Sequence, residues 1–229
     1  MNTRTNFIKA LASIVSSLFV TCASPAAWAA CANGEPVLDE IRLTHAGKNY
    51  RAEVCVMNGS FQGVKDHGSG LIQLNLFVVT AEGDAPAATS LEPVDVEGEW
   101  REIRFDRAAY LLHREYPTLA VRIDDRFNGL QFEQNLANLF LYMPQGRRLQ
   151  RVAKLTIEHD SWGKHCEPDC QDDSHRRAVV VVLSGQTKGY QDIQLKTRTR
   201  VTPKGTGVPR FEKENTLWRW NGERYKIVQ

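Results

Sequence analysis

The sequence predicts an all-β, mainly antiparallel fold, a sandwich or partly closed barrel, with one short helix allowed for at 106–115. Two observations carry this. Short segments alternate apolar and polar residues with the period of a strand, and turn residues punctuate them at close intervals. A third points the same way: no dinucleotide-type glycine pattern, heptad run or internal repeat stands out.

The elements follow in order. Segments 37–44 and 49–57 flank Ala46-Gly47-Lys48 as a hairpin, and Tyr50, Ala52, Val54 and Val56 alternate with Arg51 and Glu53. Segment 71–80 places Ile72, Leu74, Leu76 and Val78 on one face, with Gln73 and Asn75 opposite. Residues 81–89, containing Gly, Ala and Pro, read as a surface link. Segments 100–105 and 119–123 are short strands. Between them, Asp106 can cap a helix through Arg114, yet Tyr110 and Leu112 fit a strand equally. Segments 136–143 and 149–158 flank Pro144-Gln145-Gly146-Arg147, another hairpin signal. Four consecutive valines within 178–184 mark a strand buried on both faces. The next strand starts at Gly189-Tyr190 and runs to about Val201. Last, 216–220 and 223–228 flank Asn221-Gly222, a two-residue type I′ turn in which both positions take positive φ, with Trp218 and Trp220 sharing a face.

The first 29 residues read as a cleavable secretory signal. Arg4 and Lys9 precede an apolar stretch of about eleven to thirteen residues, short of the roughly twenty that span a bilayer. Ala27-Trp28-Ala29 then supplies small residues at a peptidase site. Residues 30–229 are expected to form one β-rich domain, periplasmic or secreted, with no later membrane-spanning helix. Processing removes two bases and no acid, which leaves 27 bases against 27 acids. That balance argues against nucleic acid as a partner. The one basic cluster, KTRTR at 196–200, alternates with Thr and so lies on one strand face, read as solvated.

Export also governs the cysteines. Cys22 leaves with the leader; Cys31, Cys55, Cys166 and Cys170 remain, an even number in an oxidising compartment. The expected pairs are Cys31–Cys55, tying down the mature N-terminus, and Cys166–Cys170, closing the small loop C-E-P-D-C. His165 and His175 flank the second pair with zinc-ligand residue types, but thiols meeting outside the cytoplasm are normally consumed as disulfides. No metal and no cofactor is expected.

Catalytic patterns are thin. Asp66-His67-Gly68-Ser69-Gly70 holds triad residue types without the Gly-x-Ser-x-Gly elbow, and reads as a loop entering the strand at Leu71. Asp124, Asp125, Asn128 and Gly129 resemble half a calcium loop spoiled by Arg126, and read as a turn. Carboxylates gathered on the sheet would support a secreted hydrolase, one alternative function; a metal-binding envelope protein using His165, Cys166, Cys170 and His175 is the other. The segment 158–177, EHDSWGKHCEPDCQDDSHRR, is the informative one. Hairpin loops usually take about two to five residues, so a connection of about nineteen points to function. Its candidate binding residues are Trp162 as an anchor and Glu167, Asp169, Asp172 and Asp173 facing a basic protein partner in the cell envelope.

Four stretches carry a resemblance: FDRAAYLLHREYPTLAVRI from Phe105, NLANLFLYMPQGRRLQRV from Asn135, GYQDIQL from Gly189 and LWRWNGERY from Leu217. They resemble uncharacterised exported bacterial β-rich proteins that end in a Trp-x-Trp-[Asn/Asp]-Gly-x-x-Tyr hairpin. The likeness spans about half of the mature chain and implies a β-rich periplasmic protein; its motifs are structural and transfer no active site. By analogy, exported β proteins of this size include inhibitors and immunity factors. The function expected is therefore a non-enzymatic periplasmic binding protein.

Overall fold

A computed structural model describes residues 31, 35, 37–57, 68–96, 99–163, 172–204 and 207–228. The described chain is all-β, with no helix. Twelve strands run in order: β1 (Val37–His45), β2 (Lys48–Val56), β3 (Gly68–Thr80), β4 (Gly83–Val96), β5 (Glu99–Phe105), β6 (Leu119–Asn128), β7 (Phe132–Gln145), β8 (Arg148–Gly163), β9 (Asp173–Thr187), β10 (Tyr190–Thr202), β11 (Arg210–Trp220) and β12 (Tyr225–Val228). Sequential strands pair antiparallel almost throughout. The exception is a single parallel bridge, Thr89 to Arg148, that joins β4 to β8 and makes the sheet mixed. The sheet does not close into a barrel.

Turn chemistry sets several of these pairings. Ala46-Gly47 and Lys188-Gly189 are two-residue turns with positive φ throughout (48° and 74°, 53° and 84°), the geometry whose twist matches that of the flanking strands. Gly146 supplies the positive φ for the turn between β7 and β8, where Gln145 faces Arg148. The C-terminal turn differs from the expected two residues. Trp220 pairs with Tyr225, and the Asn221 side-chain oxygen accepts the N–H groups of Glu223 and Arg224 at 2.9 Å each, closing a four-residue loop. This register brings Trp220 edge-on to Tyr225, with Tyr190 stacked on it at 4.1 Å. Burial of the aromatic trio decides the pairing over the local turn preference.

Three further expectations give way. Residues 81–89 are mostly strand: β4 starts at Gly83 and pairs with β3 along its whole length. Its prolines fit because the far edge of β4 is almost free. The Thr89 N–H points there, to the Arg147 carbonyl, and Pro93 shares that direction, so its missing N–H costs no bond to β3. Residues 106–115 form no helix; Asp106 caps a local turn at the Ala108 N–H (2.8 Å) and accepts the Tyr110 hydroxyl (3.2 Å). Asp124, Asp125 and Asn128 lie on β6 and form no turn. β3 begins at Gly68, slightly before Leu71, while Asp66 and His67 lie outside the described residues.

Two buried clusters sit on opposite sides of β6 and β7. Leu119, Val121, Ile123, Phe140 and Tyr142 point into one, where β2 to β4 contribute Ala52, Val54, Leu74, Leu76 and Ala88. Ala120, Leu139, Leu141 and Met143 point into the other, closed by Leu112, Val152, Leu155, Ile193, Trp220 and Tyr225. β7 is thus a middle-layer strand, buried without a break from Leu136 to Met143. The valine run, expected in that role, is not: Val179 is 64% exposed, and only Val180 and Val182 pack on the second cluster. Cys31 is joined to Cys55, both buried, with Cα atoms 6.0 Å apart. That bond ties the start of the described chain to β2. Cys166 and Cys170 lie outside the described residues.

Candidate functional site

The long connection is shorter than its sequence suggests. β8 continues to Gly163 and β9 begins at Asp173, with Glu158 facing Arg177, His159 facing Arg176, Asp160 facing His175 and Ser161 facing Ser174. Trp162 is therefore a strand residue, opposite Glu133 of β7 and half-buried. Asp172 and Asp173 are half-buried at the start of the returning strand. Glu167, Asp169 and His165 lie outside the described residues with the two cysteines.

Register explains what this hairpin brings together. Glu158, Asp160 and Trp162 alternate onto one face of β8, and Arg177, His175 and Asp173 meet them on β9. Arg177 grips Asp160 through two bonds, of 2.5 and 2.8 Å, and lies 3.9 Å from Glu158. His175 Nδ1 stands 3.3 Å from the same carboxylate. On the other side, Arg122 of β6 reaches Glu158 at 3.2 Å and Asp124 at 2.8 Å. Lys204 holds Asp173 at 2.7 Å. The result is an alternating ladder, Asp124–Arg122–Glu158–Arg177–Asp160–His175, across four strands. An open groove of about 300 Å³ lies over it, lined in part by Glu102, Asn135, Glu158 and Asp160. It meets a larger groove of about 700 Å³ between β1 and β5 at Glu102 and Arg122.

The electrostatics follow the geometry. Burial works to raise the Asp160 pKa, but the Arg177 fork and the His175 ring outweigh it and leave the carboxyl below its ordinary value. The same bond to Asp160 is the main cause raising Arg177. Desolvation lowers Arg122, and its bonds to Asp124 and Glu158 more than restore it. Asp160 is thus held ionised by its cationic neighbour in fixed geometry, which suits polar recognition. Donating a proton to a leaving group asks for the opposite shift. Among the described residues no three His, Cys, Asp or Glu side chains come together as metal ligands.

No match was found among known proteins. No family model fits the chain, and neither a curated protein nor a solved structure is similar to it. The site thus stands on its own chemistry. Of the expected binding residues, Trp162 and Asp173 share a face, and Glu158, Asp160 and Asp173 already have cationic partners within the chain. Arg122, Glu158 and Arg177 were not singled out from the sequence, and Asp160 counted only as one acid of the 158–177 segment. Their signal is register: once Glu158 faces Arg177, both lie on the Trp162 face.

Proposed function

We propose that the protein is an exported, non-enzymatic binding protein that engages a protein partner in the cell envelope through the distal end of the β8–β9 hairpin. An inhibitor or immunity factor has this form. The observation that carries the reading is Trp162, half-buried on a paired strand beside the Arg177–Asp160–His175 ladder. A large aromatic fixed before binding loses little entropy on docking, and pre-paired charges around it favour one orientation of the partner. The expected Cys166–Cys170 bridge adds to that ordering, with Glu167, Asp169 and Asp172 contributing acid character at the tip.

The test is capture from an envelope extract by the immobilised mature protein. Bait carrying Trp162→Ala, or with 164–171 replaced by a short Gly-Ser turn, should lose a partner that the unaltered bait retains, at unchanged thermal stability. Equal capture by all three baits overturns the assignment of this hairpin.

A further inference from the structure

Beyond the Trp162 hairpin, the same face of the sheet continues onto β10 and β11 and changes character. Arg198 lies between Arg177 and Lys213, Arg200 between His175 and Phe211, and Lys196 between Val179 and Asn215. All four of Lys196, Arg198, Arg200 and Lys213 are exposed and form no ion pair among the described residues. The acids of β11, Glu212 and Glu214, pair in register with Thr199 and Thr197 and so belong to the opposite face. A chain of balanced net charge therefore concentrates unpaired cations on one surface, which the alternation of KTRTR shows only in part.

Apolar side chains stand among these cations. Val179 is 64% exposed and Phe211 54%, with the Arg198 guanidinium 4.5 Å from the Phe211 ring centre. Along β10 the bases repeat about every 6.8 Å, and Lys213 carries them sideways onto β11. Hydrated polyanions have no use for projecting valines. A protein partner is anchored by side chains entering pockets, and the two grooves described above lie over β1–β5 and β6–β8. A layer of anionic headgroups over hydrocarbon uses both features, cations against phosphate and apolar side chains below it.

We propose that the β9–β11 face docks on an anionic phospholipid bilayer, with Lys196, Arg198, Arg200 and Lys213 facing the headgroups and Val179 and Phe211 entering the interface. This rests on the basic face and is independent of the hairpin assignment.

The test is co-sedimentation of the processed chain with large vesicles of phosphatidylglycerol and phosphatidylcholine, against phosphatidylcholine alone. Binding should require phosphatidylglycerol and weaken steeply between about 0.05 and about 0.5 M salt. Each base removed should lower the partition about fivefold, so Lys196→Gln/Arg198→Gln/Lys213→Gln should lower it about a hundredfold. All three side chains are exposed, so the thermal transition should not move. Val179→Ser/Phe211→Ser should weaken binding and leave its salt dependence in place. Equal binding to both vesicle types, no binding, or an unaffected triple variant overturns the proposal. So does stronger binding to single-stranded DNA, an acidic polysaccharide or an acidic protein than to the vesicles.

Discussion

Arg51 sits on β2 with its side chain 9% exposed and serves several partners at once. Glu53 and Asp84 both accept from it, Glu40 lies at 3.4 Å, and its guanidinium covers the Phe77 ring at 4.3 Å. Glu53 is itself buried and accepts from this guanidinium. Removing one member of such a pair strands the other, whereas replacing both with apolar groups removes the desolvation cost along with the attraction. Arg51→Met should therefore lower unfolding free energy by about 3–5 kcal/mol. Arg51→Met/Glu53→Met should recover most of that loss. Urea unfolding of the two variants and the parent checks it; a double variant no better than the single would mean that Arg51 acts through packing on Phe77 and not through charge.

At the scale of elements, the described segment between β5 and β6 has no strand or helix of its own, and its anchoring is specific. Leu112 is fully buried and its carbonyl accepts the Gln191 N–H at 2.8 Å. His113 bridges to Tyr190, lies 4.7 and 4.6 Å from the Tyr116 and Tyr190 rings, and takes the Glu115 N–H at Nδ1. Burial is the main cause holding the His113 pKa below its ordinary value, opposed by Glu115 and aided by His45. The unfolded chain then takes up this proton first as pH falls. The stabilising contribution is complete above the ordinary histidine pKa of about 6.5 and declines as pH drops from there towards the folded-state value. His113→Phe keeps a ring and removes the titration. Its stability should fall less than the parent's between about pH 7 and about pH 5; parallel curves would rule His113 out. The same elements show what the sequence could reveal. Ala46-Gly47 is local turn chemistry, so the hairpin around it was readable, whereas at Lys188-Gly189 only the start of the next strand was read. β4 was not, because whether a strand tolerates Pro86 and Pro93 depends on having a nearly free edge, which no local pattern encodes. Nor was the charge ladder: Arg122 and Glu158 are 36 residues apart, and only register brings them together.

The whole molecule is layered, and this explains why the valine run misled while 136–143 was read only as a hairpin strand. An unbroken apolar run signals burial on both faces, but which run receives it depends on how many layers stack and where. Here β6 and β7 are covered on both sides, and β9 turns Val179 outward. Leu139 and Phe140 are consecutive and both at most 1% exposed, yet they lie in different clusters. Truncating either opens a cavity in a separate body of packed side chains. Leu139→Ala should cost about 2–5 kcal/mol and Phe140→Ala about 3–5, while Val179→Ala should stay within about 0.5 of the parent. A β7 with one wet face makes a different forecast: one of the two neighbours would point to solvent and tolerate alanine. Urea midpoints for the three variants separate these architectures. Large losses at both 139 and 140 require cover on both sides of β7, and a neutral result at either position would remove one of its covering layers.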